Sequence, residues 1–139
     1  LKEYNKSRIP ANEKQQLMNA RGGQGIFRDN LLAIENGCRL THVSNQKLLI
    51  ASHIKPWRDS TDDEKLDGNN GLLLSPHVDK LFDSGYITFT GDGSIIRSTS
   101  EIDLIMKKWG LDPEMNIGKF NEYQKKYLKY HKDNIFKIK

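Results

Sequence analysis

NGLLLSPHVDKLFDSG, residues 70–85, carries a strand, a helix start and a helix stop in close succession. Residues 71–74 form a short apolar run bounded by polar residues, which reads as a buried strand. Ser75 followed by Pro76 is a helix N-cap followed by a first-turn proline. Val78, Leu81 and Phe82 then fall on one helical face, and Gly85 is placed to end the helix. Asp79 and Asp83, four residues apart, share a different face of that same short helix. A strand feeding a helix that carries two carboxylates away from its apolar side is the unit around which the rest of the chain is read.

Working toward the N-terminus, residues 55–70 are a long polar loop holding Pro56, Trp57 and the acidic cluster Asp62, Asp63, Glu64. A loop of that length in a compact domain is usually functional. Before it, residues 38–41 and 48–52 are short apolar runs joined by Ser44, Asn45 and Gln46, a pattern that predicts a hairpin with His53 at the end of its second strand. Phe27, Leu31 and Ile34 recur at helical spacing from Gln24 onward, after the interruption at Gly22 and Gly23, and Gly37 is placed to stop that helix. Residues 1–20 read as a polar N-terminal arm with a short helix-like stretch over 12–20.

Toward the C-terminus, residues 86–89 and 94–97 flank Gly91, Asp92 and Gly93 and predict a second hairpin. Ser100 with Asp103 has the spacing of a capping box, opening a helix that buries Ile102, Ile105, Met106 and Trp109 and closes at Gly110. Phe120, Tyr123, Tyr127 and Tyr130 form an aromatic stripe along a Lys-rich helix, a periodicity that core packing requires. The elements together predict one mixed α+β domain over residues 21–139, with its core at about 38–90.

Composition narrows the classes. The chain has 139 residues, 36% of them hydrophobic and 29% charged, with a mean hydropathy of −0.70. Collagen-like and bulk-disordered chains are excluded, and no apolar run has the length of a membrane span or the layout of a secretory signal, so the default expectation is cytoplasmic. The single cysteine, Cys38, has no partner for an intramolecular disulfide. The net charge of +4 is uneven: residues 107–139 hold nine lysines against four acidic side chains, a net +5, and the rest of the chain nets −1. A basic end of this kind points to a polyanionic partner, though Lys-rich helical faces are also ordinary solvated surface.

The groups capable of chemistry fall in one central stretch. His53 ends a strand, Asn70 follows 17 residues later, and Asp79 nine after that. A histidine facing two carboxylates across a hairpin and a helix suits phosphodiester hydrolysis: the carboxylates hold a hard divalent cation and the histidine, with an ordinary pKa of roughly 6.5, takes a proton from water.

These residues resemble the HNH endonucleases, and within them a restriction-endonuclease-like subgroup without zinc knuckles, built on C-x-x-T, A-x-H-I and N-G-L…L-F-D segments. The resemblance runs through RGGQGIFR at 21–28, CRLT at 38–41, ASHIKPW at 51–57, NGLLLS at 70–75 and DKLFDSG at 79–85. It implies a ββα-metal core with flanking helices and an extra hairpin, acting as a metal-dependent DNA endonuclease of restriction or defence type with Mg²⁺ or Mn²⁺ as cofactor. Under it His53 is the general base, Asn70 the asparagine that ties the loop and orients the base, and Asp79 and Asp83 the metal ligands. Ser52 stands where many relatives place a metal-binding Asp or His, and would be a weaker third donor. The knuckle positions correspond to Cys38, Thr41, Ser75 and Val78, so no structural zinc is expected.

Lys55, Arg58, Arg28, Lys125, Lys126 and Lys129 are the candidate phosphate contacts. Expected partners are DNA and either a second copy or an additional N-terminal domain, with no membrane. The rival readings are a catalytically inactive HNH-fold DNA-binding module, which Ser52 favours, and a purely structural domain.

Overall fold

The computed structural model describes residues 22–137; the expected N-terminal arm and its helix at 12–20 lie outside the described residues. Helix α1 is Gly22–Leu32 and buries Ile26, Phe27 and Leu31. It differs from expectation at both ends, since the glycines lie within its first turn and it stops well before Gly37. Gly37 serves another purpose. A Cβ there would stand 2.6 Å from the Val43 carbonyl oxygen, so its absence lets the chain beyond fold back closely.

Residues 38–41 are a turn and not a strand. The His42 N–H donates to the Cys38 carbonyl and the Cys38 N–H to that of Val43, each at 2.9 Å. Cys38 and Leu40 are buried while Arg39 between them is half-buried, paired with Glu35 and lying over the Phe120 ring; a turn that plants alternate residues in the core produces the same sequence pattern as a strand. Strand β1, Ile50–His53, pairs instead with β2, Gly71–Leu74, antiparallel, with Ile50 opposite Leu74, Ser52 opposite Leu72 and His53 opposite Gly71.

The segment between these strands is more ordered than a polar loop. A 3₁₀ turn at Trp57–Asp59 leads into the short helix α2, Asp62–Leu66, and a second 3₁₀ turn at Gly68–Asn70. Thr61 and Glu64 form a reciprocal capping box, and the acidic cluster sits on the positive end of the helix dipole. Leu66 is fully buried and anchors the segment.

Helix α3, Pro76–Asp83, matches expectation: Val78, Leu81 and Phe82 are buried, and Gly85 takes φ +80 just beyond it. The hairpin of β3, Ile87–Phe89, and β4, Ile95–Arg97, also forms as read. In helix α4, Ser100–Lys108, Thr99 is the N-cap and the expected Ser100–Asp103 box is absent, because Asp103 accepts from Arg97 Nε at 2.8 Å. Trp109 is 43% exposed rather than core.

Helix α5, Glu122–Asn134, is capped by Asn121 and Gln124 and buries Gln124, Tyr127, Leu128 and His131. Only part of the aromatic stripe is core: Phe120, which precedes the helix, and Tyr127 are buried, whereas Tyr130 is half-buried and Tyr123 is 64% exposed. Every helix and strand except β1 and α2 contributes a side chain to one hydrophobic cluster extending from Phe27 to Leu128. Two antiparallel pairs of strands among helices make the α+β class plain. Among the described residues no helix is long and apolar enough to cross a membrane.

Candidate active site

β1, β2 and α3 form a ββα unit, and a shallow open cleft of about 400 Å³ lies against it, lined among others by Ser52, His53, Trp57, Arg58, Asp79 and Asp83. Five of the sequence-predicted site residues therefore come together. Ser52 and His53 reach the cleft from β1, Asp79 and Asp83 from α3, and Arg58 from the exposed 3₁₀ turn.

His53 is held on three sides. Its Nε2 lies 2.9 Å from the Lys65 carbonyl oxygen. A carbonyl can only accept, so Nε2 carries the proton and Nδ1 keeps its lone pair. The ring stacks on Phe27 with centroids 3.6 Å apart and 17° between planes, and meets the edge of Trp57 at 5.5 Å and 82°. Burial pushes the His53 pKa below its ordinary value, the positive charge of Lys65 adds to that, and the bond to the Lys65 carbonyl opposes it. The imidazole is neutral at neutral pH and available as a base.

Asp79 and Asp83 stand one turn apart on α3, the first half-buried and the second exposed. Such i,i+4 neighbours have Cβ atoms about 5–6 Å apart. Burial raises the Asp79 pKa above the usual carboxylate range, a hydrogen bond from the Ser52 hydroxyl opposes this, and the charge of Asp83 raises it further. A carboxylate kept uncomfortable by its own neighbour is relieved by a cation. Among the described residues no three His, Cys, Asp or Glu side chains cluster closely enough to hold a metal alone. Two carboxylates fit Mg²⁺ or Mn²⁺ chemistry nonetheless, because such ions complete their shell with water and substrate phosphate. Ser52 is buried and spends its hydroxyl on Asp79.

Asn70 does not line the cleft. It is 0% exposed. Its Oδ1 accepts from the Lys55 N–H at 2.8 Å, and its Nδ2 reaches the Glu64 carbonyl at 3.1 Å and Ser60 Oγ at 3.3 Å. It acts on the loop, fixing the turn of α2 that presents the Lys65 carbonyl to His53. The structure thus gives it a positioning place rather than contact with reacting atoms.

The basic candidates are dispersed. Lys55 pairs with Glu64 at 2.9 Å and lies over the Tyr130 ring. Arg28 donates to the carbonyls of Gln46 and Leu49, tying the turn before β1 to α1. Lys125 pairs with Glu122 at 2.9 Å, Lys129 with Asp133 at 2.8 Å, and Lys126 packs over Tyr127. Only Arg58 of this group lines the cleft.

At the knuckle positions, Thr41 Oγ1 and Ser75 Oγ lie 2.7 Å apart and Val78 is fully buried. Burial alone would raise the Cys38 thiol, but hydrogen bonds from the Thr41 side chain and the backbone of Ser75, Thr41 and Leu40 bring it below its ordinary value. Hydrogen bonding and packing connect these positions.

The sequence reading missed two partners of His53. The Lys65 carbonyl has no sequence signal. Phe27 was legible as a core residue only, although Gly71, directly opposite His53 in the sheet, was a trace of its presence.

Residues 38–90 match the family model HNH_2, described as HNH endonuclease. No curated protein matches the chain. The matched segment runs from the Cys38 turn through β1, β2 and α3 to the end of β3.

Proposed function

We propose, from a chain whose residues 38–90 belong to the HNH endonuclease family, that this protein hydrolyses DNA phosphodiester bonds with a divalent cation held by Asp79 and Asp83. The observation that carries the reading is the convergence of a neutral, oriented His53 and the two carboxylates on one cleft. When bound, the cation neutralises charge on the scissile phosphate and on the departing oxygen.

The remaining work belongs to the side chains. His53 Nδ1 takes the proton of a water placed against the phosphorus, which a histidine with a lowered pKa does at neutral pH. Ser52 holds the Asp79 carboxylate in place through its hydroxyl. Arg58, exposed at the cleft, contacts a neighbouring phosphate as a fixed cation. Lys126 and the other lysines of α5 supply non-specific attraction for the backbone. By analogy with the family the products carry a 5′-phosphate and a 3′-hydroxyl, and the setting is restriction or defence.

The second reading, an inactive DNA-binding module, is favoured by Ser52, since a hydroxyl already donating to Asp79 is a poor third ligand. Cleavage of DNA by the whole chain with Mg²⁺ or Mn²⁺, lost in EDTA and in Asp79→Ala, supports the enzyme. Retardation of DNA without cleavage under any cation supports the module.

A further inference from the structure

The base candidate stacks on a residue outside the family-matched segment. Phe27 comes from α1, is 2% exposed and lies face to face with His53 at 3.6 Å. For that ring to reach the imidazole, the position opposite His53 in the sheet must be empty of side chain. It is Gly71, and a Cβ there would stand 2.4 Å from Phe27 Cζ and 2.9 Å from Cε1. Gly71 has φ −155, extended backbone that any residue adopts, so the glycine answers a need for space and not for conformation.

The helix that carries Phe27 is fastened to the same loop that orients His53. Asn30 Nδ2 donates to the Leu66 carbonyl at 2.7 Å, next in sequence to the Lys65 carbonyl that His53 uses. Gly68 lets the two backbones touch, a Cβ there falling 2.5 Å from the Asn30 carbonyl carbon. One hydrogen bond fixes one atom of an imidazole but leaves the ring free to tilt, because rotation about the bond to an aromatic ring is soft. A stacked face removes the tilt.

We propose that Phe27 is a positioning residue for the hydrolysis: its ring, seated in the space left by Gly71, sets the plane of the His53 imidazole and so the direction in which Nδ1 faces the cleft. This rests on the reading of His53 as the base. Trp57 adds a second ring contact to His53, T-shaped at 5.5 Å.

The test compares Phe27→Leu and Gly71→Ala with Leu31→Val, a buried substitution one turn further along α1 that serves as the packing control. All are assayed as the full chain, on supercoiled plasmid with Mn²⁺, at a temperature where circular dichroism shows each folded. The second readout is the ¹⁵N and ¹H spectrum of the His53 imidazole, assigned by its loss in His53→Gln. In Phe27→Leu and Gly71→Ala the His53 protons lose the upfield displacement of a stacked ring, and kcat falls on the order of ten- to a hundredfold with KM unchanged. Leu31→Val changes neither.

Unaltered His53 resonances in Phe27→Leu, or an equal loss of kcat in Leu31→Val, overturn the proposal. A wild-type chain that cleaves no DNA, with His53 resonances still displaced by Phe27→Leu, overturns the nuclease reading while supporting the ring-on-ring positioning.

Discussion

His53 Nε2 donates to the carbonyl oxygen of Lys65 at 2.9 Å, and that single bond decides which nitrogen can act as base. With the proton fixed on Nε2, Nδ1 is the free acceptor. Burial, first, and the charge of Lys65, second, hold the imidazole below its ordinary pKa. The active form is the neutral one, so the acid limb of the pH–kcat/KM profile, which reports the free protein, falls below pH 6.5. Lys65→Gln, which keeps the carbonyl and removes the charge, moves that limb to higher pH. A pH–rate series on both proteins, showing a limb at or above pH 6.5 in the wild type, would count against this assignment.

The acidic pair on α3 is a cost in the cation-free protein. Because the folded-state pKa of Asp79 is raised, its charge destabilises the fold as pH rises through that value. Asp83→Asn therefore leaves the cation-free protein as stable or more stable, by a few tenths of a kcal/mol as for other like-charge pairs at this spacing. In the wild type Mn²⁺ raises Tm in a concentration-dependent way. Differential scanning fluorimetry with Mn²⁺ and EDTA reads both effects, and the Tm response disappears in Asp79→Asn.

Asn70 serves the loop and pays no visit to the cleft. Asn70→Ala leaves the Lys55 N–H without its partner and takes one of two donors from the Glu64 carbonyl, which keeps the Asp67 N–H, a loss of about 1–3 kcal/mol, the cost of one orphaned group. Urea unfolding measures it. Cleavage falls as well, through disorder at the Lys65 carbonyl, and the His53 resonances shift in the still-folded fraction.

His131 gives the fold an acid limit. It is 1% exposed, its Nε2 donates to the Phe82 carbonyl at 2.8 Å, its Nδ1 accepts from the Thr88 hydroxyl at 2.8 Å, and its ring lies flat on Phe82. Burial brings its pKa down to about 4, against partial opposition from the Phe82 carbonyl and the charge of Asp83. The unfolded chain binds this proton first, so the associated stability is present above pH 6.5 and is lost as pH falls toward 4, on the order of 3 kcal/mol in all. His53 acts in the same direction and Asp79 in the opposite one. Urea midpoints at pH 7, 5.5 and 4.5 fall in that order, and His131→Leu, less stable at pH 7, shows a shallower decline.

The β2–α3 unit was legible because its signals are local: Ser75 and Pro76 start the helix, Gly85 stops it, and Val78, Leu81 and Phe82 mark its buried side. His53 at a strand end was legible for the same reason. The strand's partner was not, because pairing is a long-range choice and the turn at 38–41 buries Cys38 and Leu40 in the alternation a strand would use. The order within 54–70 was hidden in side-chain bonding to Asn70 and in the capping box at Thr61. Asn70-Gly71, which alone is an ordinary turn pair, divides here into a buried loop fastener and a space for the Phe27 ring.

The central claim is that His53 is the base of a metal-dependent nuclease. The direct measurement is conversion of supercoiled plasmid by the full chain with Mg²⁺, Mn²⁺ or EDTA, beside a His53→Ala variant shown to be folded. The account predicts nicking or linearisation by the wild type with a divalent cation, none in EDTA, and a fall of at least about a hundredfold in His53→Ala. Wild-type cleavage that His53→Ala retains, or DNA bound by the wild type and left uncut under every cation, contradicts it.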